Sequence, residues 1–343
     1  MSHEPHPESG PEASDPGQPA RDELARAILG LVDGAPVLTS AEVAGAAGVD
    51  EVDARRLWRA LGFPETGGEA VFSEADAQAL TLLVDSVADG IVDFDTAVQL
   101  TRALGQTMAK LADWQIGTLS TRVETFTQDE VEPEGLVGAA LDLLERVWPT
   151  FEELLVYAWR RHLAVAVGRL EALTVPGTDL HVADLSVGFA DLVSFTALSN
   201  QLGQDEIGDL VEVFEARCHD VVSGRRGRVI KSIGDSVLFV TEDPVSALHI
   251  AEDIVQVIGR DKRLPDVRLG LASGTVTQRL GDVFGPPVNL AARLTAVARR
   301  NRVIVDPDTA ARLPVEEFET RPLPARPLRG FGVVEPVSVR RLR

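Results

Sequence analysis

One cysteine, Cys218, in 343 residues excludes an intrachain disulfide and leaves no thiol set for a structural zinc site. Basic residues are also short: 33 Lys and Arg stand against 53 Asp and Glu, a formal charge of −20. A sequence-independent nucleic-acid binder needs a basic face to neutralise phosphates, and this balance argues against one. No apolar run approaches the ~18 residues that a membrane span requires. The N-terminus is polar and proline-rich, unlike a secretory signal. What is present is the mix of an ordinary globular protein, 45% hydrophobic and 25% charged, in a length that suggests two domains. The expectation is a cytoplasmic protein with two cores.

Residues 1–20 are Pro, Glu, Ser and Gly with little to bury, the composition of a disordered tail. Residues 21–148 read as an all-helical domain. ELARAILGLV has helical apolar spacing and ends at Asp33-Gly34. A capping signal at Thr39 or Ser40, followed by Glu42, opens a second helical stretch that Gly48 divides in two. Ser73 is placed to cap a third helix that Gly90 stops, and DFDTAVQLTRALGQTMAKLADWQ forms a fourth. The piece Leu38–Phe63 has the shape of a helix-turn-helix. Yet residues 21–110 carry 15 acidic against 7 basic side chains, and a recognition helix opening on VDEVD would turn its acidic end toward phosphates, which argues against DNA binding. Residues 149–178 are assigned as a linker helix over 149–173, with Pro149 near its start, Thr150 as its cap and Arg169 near its end; Val175-Pro176-Gly177 stops it.

From residue 179 to 343 strands alternate with helices. The order β-α-β-β-α-β makes this an α+β, ferredoxin-like domain. In that topology strand two runs parallel to strand one, so the turn between strands two and three lies at the end where strand one finishes. Asp191 is at that finish and Asp235 at that turn. Strands one and three are neighbours in this fold, so the two carboxylates converge at one rim. Two converging carboxylates without His or Cys suit a hard cation, Mg²⁺ or Mn²⁺, of the kind phosphate chemistry uses.

Three ordered segments then carry a resemblance: FADLVSFT at 189–196, KSIGD at 231–235 and DVFGPPVNLAAR at 282–293. Together they resemble the class III nucleotidyl cyclase catalytic domain, over about residues 179–343. The helical N-terminal half beside it resembles the autoinhibited, pH-responsive soluble adenylate cyclases of mycobacteria and other actinobacteria. The resemblance implies that Asp191, Asp235 and the backbone carbonyl of Leu192 bind two Mg²⁺ or Mn²⁺ ions per active site. It implies that Lys231 and Asp282 read adenine, and that Asn289 and Arg293 orient the ribose and stabilise the transferring phosphorus. The implied substrate is ATP, cyclised to 3′,5′-cyclic AMP and pyrophosphate by a homodimer with shared active sites.

The residue chemistry agrees with those roles. Adenine offers a ring-nitrogen acceptor and an amine donor, which a Lys donor and an Asp acceptor match. Asn289 and Arg293 are four apart in a helix introduced by Pro286-Pro287, so they share a face. Two departures stand out: Pro287 occupies a position where the family usually has a small polar residue, and SGTVTQRLGD before Asp282 is short. Arg329 is a candidate base for the triphosphate. His162, His181 and His219 are candidates for charge change near neutral pH. Two other readings stay open, a catalytically silent cyclase-like module and a DNA-binding regulator with a cyclase-like sensor.

Overall fold

The computed structural model describes residues 34, 36–64, 68–126, 133–172 and 181–342. The expected tail (1–20) and the helix expected up to Asp33 lie outside these residues. The chain divides into two compact units, the first ending at Ala164 and the second beginning at Val165.

In the first unit, capping decides where helices start. At α1 (Ser40–Ala46) the Thr39 hydroxyl accepts from the Glu42 N–H at 3.3 Å, and the Glu42 carboxylate accepts from the Thr39 N–H at 2.8 Å. Asp50 caps α2 (Glu51–Leu61), which closes on Gly62 in the left-handed conformation at φ 94°. Ser73 and Asp76 repeat the reciprocal cap at α3 (Glu74–Ala88). These helices bury Val43, Ala44, Leu57 and Leu80 around Phe72, and Trp58 meets the Phe72 ring edge-on at 4.9 Å. The fourth helix, α4, covers Phe94–Phe126 and so continues beyond the stretch expected for it.

The long helix α5 corrects the sequence reading. It starts at Pro133, not beside Pro149, and runs through Pro149 to Ala172, so Thr150 is no cap. An interior proline costs one main-chain hydrogen bond and a ring–carbonyl clash, ~3 kcal/mol. On both sides of it stand strong helix formers, LDLLERVW and FEELLVYAW, whose summed propensity carries the helix across the defect.

The second unit is built on an eight-stranded sheet in the order β2-β3-β1-β4-β6-β10-β7, with β5 paired to β4. Its strands are β1 (Val182–Leu192), β2 (Arg228–Ile233), β3 (Ser236–Thr241), β4 (Val267–Arg279), β5 (Asp282–Phe284), β6 (Val303–Val305), β7 (Phe318–Pro322) and β10 (Val337–Arg341). A separate hairpin joins β8 (Arg326–Leu328) to β9 (Gly332–Val334). The helices are α6 (Phe195–Ser199), α7 (Gln204–Gly224), α8 (Pro244–Ile258), α9 (Pro286–Val297) and α10 (Pro307–Ala311). The first four strands, β2-β3-β1-β4, with α7 and α8 as crossovers, are the expected ferredoxin-like set.

Strand alternation divides the core between the two sheet faces. On one side Val237 and Phe239 of β3 pack with Phe214, Cys218 and Val222 of α7 and with Leu248 and Ile254 of α8. Burial raises the Cys218 thiol far above its ordinary range, so this cysteine is an inert core residue. On the other side Leu238 and Val240 pack with Ala272 of β4 and with Ala291 and Leu294 of α9. Gly270 allows this close approach: a Cβ there would lie 2.3 Å from the Thr295 amide nitrogen and 2.6 Å from the Ala291 carbonyl.

Strand β4 runs through Gly274 to Arg279 and turns through Leu280-Gly281 into β5. Gly274, at φ 153°, carries the strand past α9, where an added Cβ would sit 3.2 Å from the Pro287 ring. Pro287 itself is buried in the first turn of α9, a turn that tolerates proline because its N–H groups have no helical partner.

Candidate active site

β1 and β3 are antiparallel and place Asp191 directly opposite Ser236. The preceding residue, Asp235, lies in the tight β2–β3 turn after Gly234 (φ 60°), and its carbonyl accepts from the Leu192 N–H at 3.1 Å. The two carboxylate residues and Leu192 therefore meet at one end of the sheet, as the topology requires. Across the other edge of β1, Asp191 faces Arg268 of β4. Arg268 donates from its Nε to Asp191 Oδ2 at 2.7 Å and from a terminal nitrogen to the Ala296 carbonyl at 3.2 Å. The Ser236 hydroxyl donates to Asp191 Oδ1. Partial burial, and then the charge of Asp191, push the Asp235 carboxyl above its ordinary value; its own backbone N–H and Arg268 oppose that shift.

This donor set fits a hard cation. Asp235 feels the charge of Asp191, and an added cation would offset that repulsion. Among the described residues no group of three or more His, Cys, Asp or Glu forms a complete cage. Two carboxylates are what a Mg²⁺-type ion needs when phosphates and water supply its other oxygens.

Lys231 of β2 and Asp282 at the start of β5 are brought together from 51 residues apart, with Nζ to Oδ2 at 2.5 Å. Asp282 Oδ1 also accepts from the Val283 N–H at 2.8 Å. Lysine keeps two further donors and the carboxylate keeps free lone pairs, so the pair can bond to each other and still read a donor–acceptor edge.

Asn289 and Arg293 are exposed on α9. At about 3.6 residues per turn they share the face opposite Ala291, Leu294 and Thr295, which are buried toward the sheet. Arg268, and through it Asp191, reaches the last turn of α9 at the Ala296 carbonyl. The Asn289/Arg293 pair thus points away from the sheet that carries the acid pair of the same chain.

Residues 180–337 match the model of the adenylate and guanylate cyclase catalytic domain family. An adenylate cyclase of Streptomyces coelicolor is 39% identical over 96% of this chain and 92% of its own length. The chain belongs to the class III adenylate cyclases. A Streptomyces griseus adenylate cyclase is 35% identical over 93% of this cyclase and 89% of its own length. A Mycobacterium tuberculosis protein named a pH-sensitive adenylate cyclase is 29% identical over 80% and 69% respectively. Among solved structures, the catalytic core of a rhodopsin-guanylyl cyclase with converted specificity, in complex with ATPαS, covers 47% of this cyclase and 97% of its own chain, at 24% identity and a TM-score of 0.44.

Two polar residues that contact Asp191 escaped the sequence reading, Ser236 and Arg268. The signal was present for both: Ser236 follows Asp235 directly, and the pairing of strands one and four puts Arg268 beside Asp191 once the register is known. Arg329 lies exposed in the β8–β9 turn. Of the candidate histidines, His162 is exposed on α5, His181 is exposed just before β1, and His219 is exposed on α7 with Nδ1 3.3 Å from the Ser223 hydroxyl. The more enclosed histidine is one the sequence did not single out: His249 packs against the Phe318 ring and lies 3.6 Å from Glu317.

Proposed function

We infer that this cyclase converts ATP to 3′,5′-cyclic AMP and pyrophosphate in sites assembled from two copies of the chain. The observation that carries the reading is the opposed direction of the reactive groups: Asn289 and Arg293 face away from their own sheet, while Asp191 lies at the end of β1 within that sheet and is tied there to Arg268 of β4. A ribose held by the first set and a triphosphate held at the second then belong to different chains. Two-fold symmetry makes two equivalent sites.

Asp191, Asp235 and the Leu192 carbonyl would hold two Mg²⁺ or Mn²⁺ ions per site. When bound, such ions polarise the α-phosphate and ease deprotonation of the ribose 3′-hydroxyl. Arg268 is the cation at the acid pair, and we assign it, rather than Arg329, to the incoming triphosphate oxygens. Lys231 donates to the adenine ring nitrogen and Asp282 accepts from its amine. Asn289 orients the ribose so that the 3′-oxygen lines up with the α-phosphorus. Arg293 neutralises charge on the pentacoordinate phosphorus as the bond to the 3′-oxygen forms and the bond to the pyrophosphate oxygen breaks. The proton of the 3′-hydroxyl passes to solvent water as the bond forms.

Among the described residues no helix is long and apolar enough to cross a membrane, and we place the enzyme in the cytoplasm, where its substrate is. The first unit has its own core and is joined to the catalytic unit through α5; we assign it a regulatory role, with pH as a candidate input. Retention of the acid, adenine-reading and Asn/Arg pairs favours an enzyme over a silent module. The test is direct: purified protein with ATP and Mn²⁺ forms cyclic AMP, and Asp191→Ala or Asp235→Ala abolishes it without unfolding the protein. Substantial turnover in either folded variant would refute the assignment.

A further inference from the structure

We propose that Ser236 is a positioning residue for Asp191, its hydroxyl fixing the orientation in which that carboxylate would be presented to the metal. The inference rests on the metal role given to Asp191 above.

Asp191 is flanked on both sides by cross-strand neighbours, Ser236 on β3 and Arg268 on β4. Directly opposed residues of antiparallel strands share a face and hold their Cβ atoms within about 5 Å. Each neighbour takes one oxygen: the Ser236 hydroxyl donates to Oδ1 and the Arg268 Nε to Oδ2 at 2.7 Å. The two anchors differ in what a cation would do to them. Arg268 is long, charged and already shared with the Ala296 carbonyl at 3.2 Å; a cation bound by Asp191 would repel it, and it would still have another acceptor. Ser236 is short, with a single side-chain torsion to its hydroxyl, and neutral. It does not compete with the ion for charge, and it stays when Arg268 gives way.

The serine also couples the two acid residues. It follows Asp235 in the chain, so its hydroxyl bond to Asp191 runs beside the main-chain bond from Leu192 to the Asp235 carbonyl at 3.1 Å. These two bonds tie the end of β1 to the β2–β3 turn, and with it set the separation of the carboxylates. Orientation of a ligating carboxylate by an outer hydrogen bond is commonly worth ~10–100-fold in metal affinity or activity.

The experiment compares full-length wild type with Ser236→Ala, Ser236→Thr, Ser236→Cys and Asp191→Ala. Two Mn²⁺ titrations are run on each: turnover at saturating ATP, and thermal stabilisation in excess 3′-deoxy-ATP, which lacks the attacking hydroxyl. Ser236→Ala should raise the half-saturating Mn²⁺ about tenfold or more in both titrations, with metal-free melting close to wild type. Ser236→Thr, which keeps the hydroxyl, should restore it, and Ser236→Cys, a weak donor of similar size, should fall between. The proposal is overturned if Ser236→Ala and Ser236→Cys keep the wild-type half-saturation, or if they lose turnover and melting temperature with the Mn²⁺ dependence unmoved. Asp191→Ala separates this from the reading beneath it. If Asp191→Ala keeps wild-type Mn²⁺ stabilisation, the metal role of Asp191 fails; if it loses that stabilisation while Ser236→Ala does not, only the role of Ser236 fails.

Discussion

The Lys231–Asp282 pair separates a structural brace from a base reader. The ion pair is short, at 2.5 Å, but its side chains are 43% and 25% exposed, so its contribution to folding is that of a surface pair, ~0–1 kcal/mol. If the two groups also read adenine, each loss removes a donor or acceptor from the base edge, worth ~1–3 kcal/mol. That corresponds to roughly 5–150-fold in kcat/KM. The assay is a double-mutant cycle on Lys231→Ala, Asp282→Ala and the double variant, followed by urea unfolding and by cyclic AMP formation. Unfolding should give a coupling of about 1 kcal/mol or less. Each single variant should lose about 5–150-fold in kcat/KM, and the double should lose much less than the product of the singles, because one missing partner already spoils the edge. Lys231→Glu with Asp282→Cys should likewise weaken ATP use far more than metal binding. The reasoning is refuted if stability drops by several kcal/mol in each single variant while kcat/KM for ATP holds.

Other outcomes follow from particular contacts. Gly270→Ala should destabilise the catalytic unit by ~1–3 kcal/mol in thermal melts and lower turnover, since the new methyl would press on the Thr295 nitrogen and Ala291 carbonyl and displace α9. Because the Asp235 carboxyl is raised in the folded state, the fold binds that proton more tightly than the unfolded chain does. Its contribution to stability is therefore greatest below the ordinary value of 3.8 and is lost as pH rises through the raised value. Metal-free Asp235→Asn should be more stable than wild type at pH 7 and no more stable below about pH 4, as denaturant unfolding would show; saturating Mn²⁺ should stabilise only the wild type. A truncated protein starting at Thr178 should differ in turnover from the full chain somewhere between pH 5 and 8, and equal rates at every pH would remove the regulatory role of the first unit.

The rim where Asp191 and Asp235 meet was legible because a βαββαβ order fixes which strands are neighbours, and neighbouring strand ends fix which residues converge. Caps at Thr39 and Ser73 were legible for a local reason: each side chain bonds a main-chain N–H three residues on. The course of α5 was not, because local rules stop a helix at proline and only the flanking propensity tells otherwise. Ser236 and Arg268 depend on register, and a register is decided by pairing across the sheet and not by any segment alone.

The sharing of the site between two chains is tested most directly by mixing two inactive proteins. Asp235→Ala removes the proposed metal ligand, and Arg293→Ala removes the proposed transition-state cation, an effect of ~10²–10³ in turnover. After subunit exchange, about half of the dimers are mixed, and each mixed dimer holds one complete site of two, so the mixture should recover roughly a quarter of wild-type activity. Activity that stays at background, with exchange demonstrated, would mean that each site lies within one chain and would contradict the account.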